Sequence, residues 1–140
     1  MKKFLILFAA IVFMGNHSLS AQDKKKDAPA ITFEKETMDL GKIEKGQVAK
    51  CQFKFKNNGT TPLTLVNVRP SCGCTTPSFS KEPVMPGKFG FIEAAYNSSN
   101  ASIGSITKSI TVTTNIPDQS FVIFIKGEVV NPSPVRINPE

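Results

Sequence analysis

The chain has 140 residues, 17 basic and 11 acidic for a formal charge of +6, with one histidine, three cysteines and no tryptophan. That length fits one domain, large enough to bury a core without disulfide staples. Much of the basic excess sits in Lys2, Lys3 and Lys24-Lys25-Lys26, and the remainder is close to neutral, which argues against a nucleic-acid-binding face.

The first segment has the three parts of an export signal. Met1-Lys2-Lys3 is the positive start, residues 4–14 are an unbroken apolar run, and Gly15-Asn16-His17-Ser18-Leu19-Ser20-Ala21 is small and polar. The run falls well short of the roughly twenty residues that span a bilayer, so a cleaved signal over residues 1–21 is expected rather than a membrane anchor. Cleavage after Ala21 is the expected cut, with Ser20 the alternative. No cysteine follows the run, which argues against a lipid anchor. Cleavage would remove Lys2, Lys3, the sole histidine His17 and no acidic residue, leaving a charge of +4 in the periplasm or outside the cell.

Residues 22–30 are charged and have no apolar side chain larger than alanine, so a disordered linker is expected. From 31 to 130 the pattern is β. Ile31–Phe33 and residues 38–40 read as short edge strands. Val48–Asn57 is the clearest strand, with Ala49, Cys51, Phe53 and Phe55 on one face and Lys50, Gln52, Lys54 and Lys56 on the other. Asn57-Asn58-Gly59-Thr60 signals a turn, and residues 63–68 follow as an apolar strand. Pro86-Gly87 is a second turn leading into residues 89–96. Residues 105–114 are dense in β-branched side chains, and residues 121–130 form the last long strand. About seven short strands with turns between them predict an all-β, immunoglobulin-like sandwich. Pro132, Pro134 and Pro139 mark residues 131–140 as an extended tail.

The chemistry-bearing feature is Ser71-Cys72-Gly73-Cys74-Thr75. Three uses of this loop stay open. A Cys72–Cys74 disulfide requires Cα atoms within about 7 Å, which a turn at Gly73 permits, and so small a ring suits exchange better than support. A soft-metal clamp would use both thiolates for Cu(I) or Zn(II), with Cys51 or Met85 as further ligands. The structural use has the cysteines packed as small apolar residues, or one of them bonded to Cys51. Cys51 shares the inward face of Phe53 and Phe55 and is expected at the same end of the sandwich as the loop. Arg69 and Lys81 would lower a thiol pKa if they lay beside it.

Other signals are bland. The ridge Lys50, Lys54 and Lys56 would suit an anionic glycan or lipid head group, but lysines in such rows ordinarily solvate a strand and discourage edge pairing. Hydrolase machinery has no footing, because the expected mature chain has no histidine base and no Gly-x-Ser-x-Gly elbow.

Several separated elements together resemble one family. They are Met38-Asp39-Leu40-Gly41-Lys42-Ile43 with Lys45-Gly46, Phe53-Lys54-Phe55-Lys56-Asn57-Asn58-Gly59, Pro62-Leu63, the Cys-Gly-Cys loop, Pro86-Gly87 and Ile125-Lys126-Gly127-Glu128-Val129. In order and spacing they are similar to the domain-of-unknown-function family 1573 of secreted bacterial proteins. The resemblance implies an immunoglobulin-like sandwich related to the PapD-like group and no established activity. Cys51 lies outside the family pattern.

The expectation is a non-enzymatic exported module, without cofactor and not membrane-spanning, that binds a protein or cell-envelope component. The alternative is a thiol redox or Cu(I)-handling protein in which Cys72, Cys74 and Cys51 are the candidate disulfide, redox or metal residues.

Overall fold

The computed structural model describes residues 28–134. The expected signal lies outside them, as do residues 22–27 of the linker and 135–140 of the tail. Among the described residues every regular element is a strand, and no helix is long and apolar enough to cross a membrane.

The strands are β1 (Ile31–Phe33), β2 (Thr37–Glu44), β3 (Val48–Asn57), β4 (Leu65–Pro70), β5 (Thr75–Phe79), β6 (Phe89–Asn97), β7 (Gly104–Thr114) and β8 (Ser120–Val130). They form two four-stranded sheets, ordered β1-β3-β6-β5 and β2-β8-β7-β4. Between Phe33 and Thr37 the chain steps from the first sheet to the second. There β2 runs parallel to β8, while all other pairings are antiparallel. The expected sandwich of about seven strands is therefore what forms, with eight.

Three details differ from expectation, each for a local reason. β5 has no counterpart in the expected set because Pro77 sits inside it. Proline donates no ladder hydrogen bond and is tolerated because β5 is an edge strand, paired only to β6. β2 is longer than residues 38–40 because a bulge between Asp39 and Lys42 carries it onward, with Gly41 at a φ of 64° and its N–H donating to Asp39 Oδ1 at 2.8 Å. β4 runs over Leu65–Pro70 rather than 63–68, since Leu63 makes only an isolated bridge to Val84.

Alternation puts one face of each strand into the core. Phe53 and Phe55 of β3, Ile92 and Ala94 of β6, Ile110 and Val112 of β7, and Ile123 and Ile125 of β8 form the main cluster. Ile43, Tyr96 and Val129 form a second cluster at the pole where β3 begins.

Each pole is tied by one fully buried polar side chain. At the end of β3, Asn57 Nδ2 donates to the carbonyls of Thr61 and Val84, both at 2.8 Å, and Oδ1 accepts from the N–H groups of Gly59 at 2.9 Å and Ala30 at 3.4 Å. Ala28 and Ala30 are thereby held against the turn, with Thr60 N donating to Ala28 O and Asn58 N to Ala30 O. At the opposite pole Ser98 Oγ accepts from Gln47 N at 3.0 Å and lies 2.9 and 2.8 Å from the carbonyls of Glu44 and Gln47.

Replacing Asn57 by alanine strands buried backbone groups, so Asn57→Ala is expected to cost about 2–4 kcal/mol in urea unfolding. A loss under about 0.5 kcal/mol, the ordinary range for surface substitutions, would show that the amide is not a strut. A Cβ on Gly90 would overlap the Phe55 ring. Gly90→Ala is therefore expected to destabilise by about 1–3 kcal/mol through overpacking, read as a lowered Tm, and an unchanged Tm would refute this.

Candidate functional site at the disulfide pole

Residues 71–74 carry the chain from β4 in one sheet to β5 in the other. The entry is pinned to β7, where Ser71 N donates to Ser109 O at 2.9 Å and Ser109 N donates to Ser71 Oγ at 3.2 Å. The exit is pinned to β6, where Asn97 N donates to Cys74 O at 2.8 Å, and Thr75 N closes the turn onto Cys72 O at 3.3 Å. The turn at Gly73 brings the Cα atoms of Cys72 and Cys74 to 5.3 Å, and the two cysteines are joined as a disulfide. Of the three uses read from the sequence, this is the pairing found. In that form neither sulfur is a thiolate, so a soft-metal clamp at Cys72 and Cys74 would need the reduced state. Among the described residues no three His, Cys, Asp or Glu side chains converge.

Cys51 is free. It lies opposite Ala94 of β6, which in turn lies opposite Pro77 of β5, one row along from Thr75. Two strand spacings, about 9.6 Å, therefore separate its backbone from β5. It shares the loop's half of the sandwich but packs against the main cluster, whereas Cys74 packs against the second. Burial pushes the Cys51 thiol up from its ordinary value, which disfavours the reactive thiolate.

Beside the disulfide an open cleft of about 480 Å³ is lined by Gly73, Cys74, Tyr96, Asn97, Asn100, Ile106 and Lys108, among others. Lys108 is its sole charged side chain. Its presence follows from register, because Lys108 pairs with buried Ile125 and so shares the inward face of Ile106, Ile110 and Val112. On the other side of the bridge, Cys72 Sγ lies 3.8 Å from the hydroxyl of Thr75, a buried residue.

Arg69 and Lys81 do not line this cleft. Arg69 pairs with exposed Thr111 on the outer face, and Lys81 lies exposed beyond the end of β5. Sequence reasoning missed Lys108, yet its signal was present: a lysine interrupts the period-two apolar row Ile106, Ile110 and Val112. Tyr96 and Asn100 carried no comparable mark.

A second surface lies at the far end of β6. β5 stops at Phe79, opposite Ile92, so Phe89, Gly90 and Phe91 have β3 on one side and no strand on the other. Phe89 and Phe91 are 47% and 45% exposed, and Met85 is 54% exposed. Phe79, Pro83, Val84 and Met85 border the same groove, of about 540 Å³. Lys54 Nζ lies 4.1 Å from the Phe89 ring centre and 2.6 Å from Glu34 Oε1. Lys54 and Lys56 thus bring their ammonium groups over the Phe89 ring, consistent with a solvated strand.

Comparison with solved structures places the fold. The chain is similar to a protein of unknown function from Porphyromonas gingivalis W83, with a TM-score of 0.63 and 21% identity over 71% of this chain. It spans only 46% of that protein's length. It is also similar to PapD-like domain 7 of human CEP192, with a TM-score of 0.59 and 10% identity, covering 86% of this chain and 99% of that domain. A third likeness is to the periplasmic chaperone SfaE, at a TM-score of 0.50 and 13% identity, covering 79% of this chain and 61% of that one. These likenesses establish an immunoglobulin-like, PapD-like sandwich. No curated protein was found to match the chain. Residues 31–129, nearly all of the strand-bearing region, match the family described as protein of unknown function, DUF1573. The chain therefore belongs to the DUF1573 family.

Proposed function

We propose that this protein is an exported, non-enzymatic binding module that holds an extended segment of another protein or cell-envelope component along the open edge of β6. The observation that carries this reading is the unpaired stretch Phe89–Phe91, flanked by exposed Phe89, Phe91 and Met85. An exposed strand edge offers main-chain hydrogen bonds to an incoming strand, and the neighbouring apolar side chains select what it carries. Contiguous exposed apolar surface with a polar rim ordinarily marks an interaction site, and Gln52, Glu93 and Lys88 supply that rim. The architecture shared with the periplasmic chaperone SfaE supports the reading by fold analogy alone. Export rests on the basic start and the apolar run of residues 4–14.

Two measurements test these statements. Phe89→Asp and Phe91→Asp alter exposed side chains and are expected to fold. Each should weaken capture of a reproducible partner from a cell-envelope extract about tenfold or more, the scale of an interfacial hot spot. Val122→Asp, on the outer face of β8, should leave capture unchanged. Equal capture by wild type and both edge variants would refute the edge as the docking site. Intact mass of the protein recovered from the envelope fraction should correspond to a chain starting at Gln22, or at Ala21 for the alternative cut. An uncleaved chain in the cytosol would refute export.

A further inference from the structure

We infer that the Cys72–Cys74 disulfide is a thiol-exchange site for anionic thiols, with Cys74 Sγ the sulfur attacked from the Lys108 cleft and Cys72 the leaving group. The site lies at the opposite end of β6 from the docking edge, and its chemistry goes beyond binding.

The two sulfurs are not equivalent. Cys74 lines the cleft, and beside it Gly73 is exposed and places no side chain over the approach. Cys72 does not line the cleft. Its sulfur lies 3.8 Å from the Thr75 hydroxyl, a donor for the thiolate that forms when the bond opens. Lys108 is the only charged side chain lining the cleft, so the local field draws negatively charged nucleophiles to Cys74. Support of the fold is a poor account of this bond. A loop closed across a single intervening residue removes little freedom from the unfolded chain. The hydrogen bonds from Thr75 N to Cys72 O and from Asn97 N to Cys74 O keep the opened sulfurs adjacent, ready to close again.

The step balances with thiol as the only co-reactant. A thiolate attacks Cys74 Sγ and forms a mixed disulfide. The Sγ–Sγ bond breaks, and its electron pair stays on Cys72 Sγ, which takes a proton from water. A second thiol attacks the mixed disulfide at the incoming sulfur, releasing the Cys74 thiolate and an oxidised disulfide. Two electrons pass from two thiols to the protein. In an exported setting the substrate class is a thiol with negative charge beside it, such as a cysteine flanked by carboxylates.

The test uses the whole mature chain with Cys51→Ser, so that the only sulfhydryls released are those of the pair. Reduction is timed with 3-mercaptopropionate, which is anionic, and with cysteamine, which is cationic, at matched thiolate concentration. The ratio of the two rates is divided by the same ratio measured on a neutral small-molecule disulfide, which cancels their different intrinsic nucleophilicities. At low ionic strength this normalised ratio should favour the anionic thiol about three- to tenfold, the scale of one neighbouring unit charge in water. The ratio should fall towards unity in high salt. Lys108→Gln should bring it close to unity, and Lys108→Arg should restore it. Mass spectrometry of the quenched mixed disulfide should place the small thiol on Cys74. A wild-type ratio at or below unity overturns the proposal, as does a ratio untouched by Lys108→Gln, a small thiol found on Cys72, or a purified protein whose Cys72 and Cys74 are both free before reduction. The wild-type ratio and the trapped position need no Lys108 variant, so they decide the matter even if such a variant misfolds. Failure of the docking edge would leave every one of these readings unchanged.

Discussion

A carboxamide buried where two sheets close must find partners for its N–H and carbonyl groups, because leaving them bare costs more than the bonds themselves contribute. Asn57 finds four, on Ala30, Gly59, Thr61 and Val84. Its backbone adds two more, donating to Lys88 O and accepting from Gly87 N. Three chain segments far apart in sequence thus meet on one residue. The bonds to Val84, Gly87 and Lys88 hold residues 84–88 against the end of β3, and the edge of β6 is bare from Phe89 to Phe91 because β5 ends at Phe79.

β6 connects this edge to the sulfur pole. At one end it presents Phe89 and Phe91, and at the other Tyr96 and Asn97 border the disulfide cleft. Between them Ile92 and Ala94 are buried in the main cluster. From Phe89 to Tyr96 the strand covers roughly 24 Å at about 3.4 Å per residue. Both surfaces therefore sit on one strand, paired to β3 along its whole length and to β5 only from Ile92 to Tyr96.

Strong alternation made most of the fold legible. Phe53 and Phe55 against Lys54 and Lys56 fix which face of β3 is inward, and the β-branched run of β7 and the long final strand leave no helical alternative. What stayed hidden had physical reasons. Pro77 masks β5, because proline in a strand is allowed only at an edge, and edge position is a tertiary fact. Gly41 masks the continuation of β2, since a bulge breaks the two-residue period. The Cys72–Cys74 pair was legible as a candidate site, but its pairing was one of three options until the turn at Gly73 set the separation. Lys108 was overlooked because a charged residue in a half-buried strand reads as outward by habit. Only the apolar row around it places it inside. The open edge could not be read at all, because it is defined by where another strand stops.

The first described residues, Ala28–Ala30, lie at the Asn57 pole. β8 ends at the other, where Lys45 N donates to Val130 O and Ser133 reaches Glu44. The two ends of the domain thus leave from opposite poles. The first strand, β1, pairs antiparallel with β3, and β2 beyond it lies parallel to and beside the last strand, β8. Tension applied between the termini would load β1 against β3 first and then draw β2 and β8 lengthwise along one another, loading their shared hydrogen bonds together instead of peeling them one at a time.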